Sequence, residues 1–289
     1  MKPPEFICIG APKSGTTWLF DNLVLHPEIW LPPTKSIQYY SGMVNRRRLK
    51  KLWRGLRNKN INRGNARFSL RDSKELAQWK LKYFFWPVPN EHWYLSLFSE
   101  AGAKIRGEIA PSYTSLKRSK IAQIEKVAPN AKIIFFMRNP IDRAWSHFLH
   151  TYIKNGRKDI EKLSDEEIIN TLDYAPSVLL SDYVATIDRW GEYFPSDQIL
   201  VCFFEEIAES PDDLIERLCQ FLDVKPDKSL FQKSSRRNIF KGVNEEMPVS
   251  VRAYLSDKFY AQLDTLASRY QSYPSQWLKD ADAAIVGSQ

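Results

Sequence analysis

The stretch FICIGAPKSGTTWLF at residues 6–20 decides the fold of this chain. Phe6–Gly10 is a short apolar run bounded by glycine and proline, a pattern typical of a buried strand. Apolar residues recur at helical spacing from Thr16 to Leu25, and Ser14 is a possible N-cap, so this segment is predicted as a helix. A strand, a small-residue loop and a helix N-terminus together predict an anion site, because outward N–H groups and the helix dipole favour negative charge.

The loop keeps the glycine spacing of a nucleotide-binding P-loop but not its lysine. Gly10 and Gly15 fit the pattern G-x-x-x-x-G, whereas Thr16 takes the place of the following lysine, which lies inside the loop as Lys13. A P-loop lysine reaches the β- and γ-phosphates of a nucleoside triphosphate. The displaced lysine argues against triphosphate chemistry and still puts a cation beside a phosphate-like group. The simpler alternative is an ordinary turn between strand and helix.

A second strand and helix carry another candidate anion contact. The apolar run Lys132–Met137 is predicted as a buried strand, and Pro140 suits the first turn of the helix that follows. Arg138 would lie at the strand end and Ser146 two turns into the helix, where a guanidinium and a hydroxyl can meet one phosphate. Taken singly, these two residues could equally form a salt bridge and a solvated hydroxyl.

These motifs resemble those of sulfotransferases that use 3′-phosphoadenosine 5′-phosphosulfate (PAPS), in particular the heparan-sulfate type and its bacterial relatives. PKSGTTWL at 12–19 resembles their 5′-phosphosulfate loop, and RNPIDRAWS at 138–146 resembles their 3′-phosphate motif. The resemblance implies transfer of a sulfuryl group from PAPS to a hydroxyl or amine, and nothing in the sequence requires a metal. The cofactor-binding residues that it implies are Lys13, Ser14, Gly15, Thr16, Thr17, Trp18, Arg138 and Ser146, with Arg236, Lys241 and Gly242 in a loop closing over the adenosine.

The acceptor side departs from the family pattern. TKSIQYY at 34–40 resembles a family segment that reads Lys-Glu-x-His followed by two aromatic residues, and the Glu there serves as the base for the acceptor. In this chain Ser36 replaces the Glu and Gln38 replaces the His. The sequence therefore does not identify the residue that acts as the base. Lys13 is expected to be catalytic in another way, by stabilising the leaving group.

Two residues are candidates for the missing base. Glu108 ends the predicted strand Lys104–Ile109, on the side of an open α/β sheet where ligands collect. His92 is the other candidate, because the histidine side chain is a common general base. Glu108 has a structural alternative, in which its carboxylate holds Lys13 or a loop in place, and we favour that role for it.

The alternation of strands and helices predicts an α/β fold with a P-loop-like, mainly parallel sheet and helices on both faces. We expect one sulfotransferase domain over 1–289, with 43–89 as a basic, partly helical insertion on the acceptor side. The other predicted elements are a strand at Gln198–Phe204 and helices at Glu91–Phe98, Asp159–Asn170, Ser181–Tyr193, Ser210–Leu222 and Val249–Arg269.

The net charge of +8 has a local origin. Residues 46–71 contain eleven Lys and Arg and no Asp or Glu, which leaves 31 basic against 34 acidic residues elsewhere. Leu49, Leu52, Trp53 and Leu56 follow helical spacing and predict a basic amphipathic helix. This segment is either a solvated face or a docking surface for an anionic acceptor, a carrier protein or, through 46–57, a membrane surface.

Composition bears on membrane insertion, on the state of the cysteines and on the cellular compartment. The apolar fraction of 43% suffices for a core, and no apolar run approaches the ~20 residues of a membrane span. Cys8, Cys202 and Cys219 lack metal or disulfide spacing and are predicted as buried thiols in a reducing compartment. Since no signal pattern is present either, we expect a cytoplasmic protein; the alternative is a lumenal domain without its anchor.

The sequence leaves the acceptor and two alternative functions open. The acceptor is not identified by the sequence, and saccharide, lipid and carrier-bound acceptors all stay open; no nucleic-acid partner is expected. A P-loop kinase or other phosphotransferase is one rival, opposed by the position of Lys13. A non-catalytic PAPS or nucleotide-binding protein is the other, and the serine at position 36 is its best support.

Overall fold

The computed structural model describes residues 1–44, 73–154, 160–174, 176–227 and 245–287. The predicted basic helix around 49–56 and the predicted nucleotide-loop residues Arg236, Lys241 and Gly242 lie outside these ranges. The described strands form one parallel sheet in the order β2-β3-β1-β4-β5. They are β1 (Phe6–Gly10), β2 (Ile29–Trp30), β3 (Ile105–Ile109), β4 (Lys132–Met137) and β5 (Ile199–Phe203).

Helices connect these strands and follow them. The described α-helices are α1 (Thr16–Leu23), α2 (Ser73–Phe85), α3 (Glu91–Ser96), α4 (Arg118–Val127), α5 (Pro140–Lys154), α6 (Asp165–Tyr174), α7 (Pro176–Leu179), α8 (Tyr183–Gly191), α9 (Glu206–Glu209), α10 (Pro211–Phe221), α11 (Val249–Tyr270) and α12 (Ser272–Val286). The predicted acidic helix starts later than expected, at Asp165 behind a 3-10 turn at Ile160–Lys162. Helix α12 was not predicted.

The strands are apolar throughout because the sheet is covered on both faces. Along β1, Ile7 and Ile9 enter one core, whereas Phe6 and Cys8 enter the other, as the alternation of side chains along a strand requires. The first core contains residues of α4, α5, α8 and α11, and the second contains residues of α1 and α10. The predicted α/β fold with a P-loop-like parallel sheet and helices on both faces is thereby confirmed.

The position of β1 in the middle of the sheet places the candidate site. Strand β1 pairs with β3 on one side and with β4 on the other. The connection from β1 to β2 runs to one side of β1, and the connection from β3 to β4 crosses to the other side. This reversal opens a crevice at the C-terminal strand ends. The loop at 11–15, Glu108 and Arg138 all lie at this edge of the sheet.

Three further observations bear on the sequence predictions. The three cysteines are free and buried, as expected, and burial raises the pKa of Cys8 to about 12. No helix in the described ranges combines the length and the apolar character needed to cross a bilayer. Among the described residues, no group of three or more His, Cys, Asp or Glu side chains could hold a metal ion.

Candidate functional site

The loop between β1 and α1 has the backbone shape of an anion site. Lys13 and Gly15 both have positive φ, 73° and 89° respectively. Gly15, not Ser14, is the N-cap of α1, and it has no side chain to cap the helix. The Ser14 cap predicted from sequence is therefore wrong, because the left-handed turn at Gly15 delays the helix by one residue. Because the first N–H groups of a helix have no intrahelical partner, the start of α1 is suited to an anion.

Glycine is required at both ends of this loop. Gly15 has φ 89°, and a Cβ there would lie 2.2 Å from Cδ1 of Ile207. Gly10 has φ 149°, and a Cβ there would lie 1.9 Å from Oγ1 of Thr114. The Thr114 hydroxyl donates instead to the carbonyl of Ile9 at 3.0 Å. The two glycines thus let neighbouring segments close tightly around the loop.

Lys13 and Arg138 bring two positive charges to the same place. The Arg138 guanidinium donates to the backbone carbonyl of Lys13 over 3.4 Å and lies 4.6 Å from the ring centroid of Phe204. Burial lowers the pKa of Lys13, and the nearby Arg138 lowers that pKa further. An anion bound between these two cations would relieve their repulsion. The residues predicted for the 5′ and 3′ ends of a nucleotide therefore meet in the fold.

Arg143 supports the loop between β1 and α1 through a hydrogen bond to its backbone, a role that the sequence did not reveal. Its side chain is fully buried, and it donates to the Ser181 hydroxyl at 2.7 Å, to the carbonyl of Ser177 and to the carbonyl of Pro12 at 3.4 Å. Burial lowers its pKa to about 10. Arg143 adds a third positive charge beneath the loop, and it connects α5 and residues 177–181 to the loop.

Lys35 is a second residue that the sequence did not assign to the site. Its ammonium donates to the hydroxyls of Thr16 and Thr17, over 3.1 and 2.5 Å. The sequence had shown only that Lys35 is kept within a motif in which its neighbours are changed. The structure places it against the first turn of α1.

Glu108 lies in a cage of hydrogen-bond donors. Its carboxylate accepts from the backbone N–H groups of Ile37 and Gln38 at 3.2 and 3.3 Å and from the Tyr94 hydroxyl at 2.7 Å; the Tyr113 hydroxyl contacts both of its oxygens at 3.4 Å. Glu108 is 1% exposed, and burial raises its pKa to about 7 despite these donors. Four donor groups thus surround a carboxylate that offers about four acceptor positions. This position supports the structural role for Glu108.

The side chain of His92 lies at the surface, whereas that of Trp18 lies in the core. His92 is exposed near the start of α3, with its ring 5.7 Å from that of Trp86. Tyr94, which bonds Glu108, lies two residues further along the same helix, and residues at this spacing point to different faces. The Trp18 side chain is 4% exposed and belongs to the second core, so only its backbone can face an anion.

The other described residues predicted to bind the cofactor are buried or half-buried. Ser14 is fully buried in the loop, Thr16 is 4% exposed and Thr17 is half-buried. Ser146 is half-buried on α5. At this end of the sheet, the start of α1 lies with three cationic side chains at 13, 138 and 143, and this combination favours anions.

The fold and the loop between β1 and α1 define an α/β domain with a modified P-loop. A model of the sulfotransferase domain matches residues 3–265. The chain therefore belongs to the sulfotransferase domain family, whose members are transferases that use PAPS as the sulfuryl donor.

The chain is similar to longer curated proteins over part of their length. Human bifunctional heparan sulfate N-deacetylase/N-sulfotransferase 3 is 28% identical over 237 residues, which are 77% of this chain and 22% of the human protein. Mouse bifunctional heparan sulfate N-deacetylase/N-sulfotransferase 4 is 26% identical over 239 residues, with the same two coverages. This chain matches only about a fifth of the length of these relatives.

Solved structures share the fold. A sulfotransferase from Alicyclobacillus acidocaldarius superposes with a TM-score of 0.64 at 24% identity, covering 96% of this chain and 99% of that one. The sulfotransferase domain of the Synechococcus PCC 7002 olefin synthase gives a TM-score of 0.52 at 18% identity, with coverages of 89% and 94%. These likenesses extend over nearly the whole of both chains.

Proposed function

We propose that this chain transfers the sulfuryl group of PAPS to a hydroxyl or amine of an acceptor. The observation that carries the proposal is the contact between the two cofactor motifs, in which Arg138 donates to the carbonyl of Lys13. A P-loop kinase would need its lysine after the second glycine, where this chain has Thr16. The displaced cation suits a ligand with a single phosphosulfate end rather than a triphosphate.

Different residues around the loop would bind the two ends of PAPS. The N–H groups at the start of α1 and the hydroxyls of Thr16 and Thr17 would hold the 5′ end, and Arg138 with Ser146 would hold the 3′-phosphate. Bound PAPS supplies an activated sulfuryl group whose departure leaves negative charge on a bridging phosphate oxygen. Lys13 would stabilise the charge that develops there, since its cationic side chain belongs to the loop that holds the 5′ end.

The proton of the acceptor needs a base, and the described residues limit the choice. Glu108 is enclosed by its donors, and His92 is exposed on a different face of α3 from Tyr94. We therefore propose that Glu108 anchors the 36–38 segment and does not remove the proton itself. An acceptor amine that is already uncharged would lessen the demand for a base.

For the acceptor we propose an anionic saccharide. The similar proteins named above are, by name, heparan sulfate N-sulfotransferases. The segment 46–71 carries eleven Lys and Arg without an acidic residue, which supports attraction of a polyanion. Replacing Arg46, Arg47 and Arg48 by Glu is expected to raise the KM for such an acceptor and to reduce its salt dependence. Lys126→Glu, an exposed change on α4, serves as the matched control.

The test is transfer of labelled sulfuryl from PAPS to a panel of acceptors. The panel contains N-desulfated heparan, a neutral oligosaccharide, a simple phenol and a lipid with a free hydroxyl. We expect labelled product with the anionic saccharide and stoichiometric release of adenosine 3′,5′-bisphosphate (PAP). Phosphoryl transfer from ATP with Mg²⁺ would contradict the proposal and favour a kinase. Tight PAP binding without turnover on any acceptor would instead favour a binding protein.

A further inference from the structure

Lys35 makes a contact that the functions assigned above leave unused. Its ammonium lies 3.1 Å from Oγ1 of Thr16 and 2.5 Å from Oγ1 of Thr17. Thr16 is 4% exposed, and Thr17 and Lys35 are half-buried. Charge-assisted hydrogen bonds in such a shielded place are stronger than neutral ones. The contact therefore fixes both hydroxyls at the first turn of α1.

The polarity of these hydrogen bonds decides where the hydroxyl protons go. A lysine ammonium has three donors and no acceptor, so both threonine oxygens must accept from Lys35. A hydroxyl has one proton of its own, and that proton must then point away from Lys35. Within the described part of the chain, the only hydrogen bonds of these two hydroxyls are those from Lys35. Both protons remain to be donated to a ligand.

The segment that carries Lys35 is held in place from the opposite side. Glu108 accepts from the N–H groups of Ile37 and Gln38, only two and three residues after Lys35. Gln38 has a φ of 62° and donates from its amide to the Ser112 hydroxyl at 3.0 Å. A non-glycine residue adopts this backbone conformation only where its surroundings determine it. The cage of Glu108 thus places Lys35 relative to α1.

We propose that Lys35 is a positioning residue that orients the hydroxyls of Thr16 and Thr17 as donors to the phosphate at the 5′ end of the bound nucleotide. The inference rests on the proposed function, because it takes the start of α1 as the 5′ subsite. It goes beyond that function by naming the side chain that gives the two threonines their hydrogen-bond direction.

The test compares three nucleotides that differ in one phosphate each. PAP has both phosphates, adenosine 5′-phosphate lacks the 3′-phosphate, and adenosine 3′-phosphate lacks the 5′-phosphate. Lys35→Met keeps the unbranched side chain up to the ε position and removes its donors. By titration calorimetry, we expect this variant to bind PAP and adenosine 5′-phosphate about tenfold or more weakly, since a hydrogen bond to a charged group is lost. Adenosine 3′-phosphate should bind as to the wild type.

A double-mutant cycle separates orientation from simple attraction. If Lys35 acts through Thr17, then Lys35→Met combined with Thr17→Val should weaken PAP binding by no more than the larger of the two single changes. Additive losses would overturn the proposal, and so would an equal loss for all three nucleotides. Lys126→Met, an exposed lysine on α4, is the control and should leave all three affinities unchanged.

Two further measurements keep the inference testable if a variant or the donor assignment fails. Should Lys35→Met not fold, Thr16→Val and Thr17→Val must each weaken only the nucleotides that carry a 5′-phosphate; unchanged affinities would overturn the proposal. Should the wild type not bind PAP, the proposed function fails, and thermal stabilisation by sulfate against chloride of equal ionic strength tests Lys35 alone. Sulfate is expected to stabilise the wild type more than Lys35→Met, and equal stabilisation would overturn the inference.

Discussion

At the scale of single residues, Lys13 occupies a position that few lysines adopt. Its φ is 73°, and both burial and the neighbouring Arg138 lower its pKa. Replacing Lys13 by Ala removes the cation inside the loop but keeps the Cβ atom, so the steric cost of the positive φ is unchanged. We therefore expect transfer to fall by a factor of about 100 or more, on the order of 3 kcal/mol, while the fold persists.

The measurement for Lys13→Ala is kcat/KM with PAPS, together with the Tm of the free protein. The matched control is Lys126→Ala on the exposed face of α4, which should keep the wild-type rate. Near-normal turnover of Lys13→Ala would remove this lysine from the chemistry. A large fall in Tm would show that the loss of rate has a structural origin.

Glu108 gives a residue-scale prediction about stability. Its pKa in the folded chain is about 7, above the ordinary value of 4.5, because its carboxyl group is buried. A raised folded-state pKa means that its stabilising contribution is complete below pH 4.5 and is lost as the pH rises through 7. The difference is on the order of 3 kcal/mol. Between pH 4.5 and 7, the free energy of unfolding should thus fall more steeply for the wild type than for Glu108→Gln.

Denaturant unfolding at a series of pH values checks this. Glu166→Gln, an exposed change on α6, should follow the wild-type slope. The comparison uses slopes, since Glu108→Gln also disturbs the hydrogen bond from Tyr94 and lowers stability at every pH. Parallel curves for the wild type and Glu108→Gln would show that the carboxyl group does not titrate in this range.

Sequence patterns reveal residues whose role lies within one local motif. Lys13 and Arg138 could be predicted because each stands beside a strand end and a helix start. Arg143 and Lys35 could not, because their partners are remote in sequence: Arg143 reaches the carbonyl of Pro12, and Lys35 reaches Thr16 and Thr17. Only the closed fold brings these groups together.

At the scale of elements, β1, β4 and α3 agree closely with their predicted bounds, and α5 starts at Pro140 as predicted. Each is marked by an apolar run or stripe with proline or a turn residue at its border. The errors fall where a cap or a break is not visible in the sequence. Gly15 replaces Ser14 as the cap of α1, and α11 and α12 are separated only by Gln271 at φ 52°.

The junction of β4 and α5 carries an element-scale prediction. Arg138 directly follows the strand and Ser146 lies on the helix, so together they should hold the 3′-phosphate. Arg138→Ala is expected to weaken PAP binding by about tenfold or more and Ser146→Ala by less, because only the arginine contact is charge-assisted. Adenosine 5′-phosphate, which lacks the 3′-phosphate, is the control ligand. Equal losses for both nucleotides would contradict the assignment.

At the scale of the whole molecule, the sheet order gathers the site. With β1 between β3 and β4, the 11–15 loop, Glu108 and Arg138 meet at one edge, although they are far apart in sequence. The alternating pattern predicted the fold class and the helices on both faces. It could not give the strand order, because parallel pairing depends on contacts between distant segments.

The central claim is that this edge binds the PAPS nucleotide rather than a nucleoside triphosphate. The most direct test is a thermal-shift titration of the wild type with PAP and, separately, with ATP and Mg²⁺. Saturating PAP at about 100 times its Kd adds about 2.7 kcal/mol of stability, so Tm should rise by roughly 4–5 °C and keep rising with the logarithm of PAP concentration. ATP with Mg²⁺ should produce a much smaller shift. A rise in Tm with ATP and Mg²⁺ and none with PAP would contradict the account.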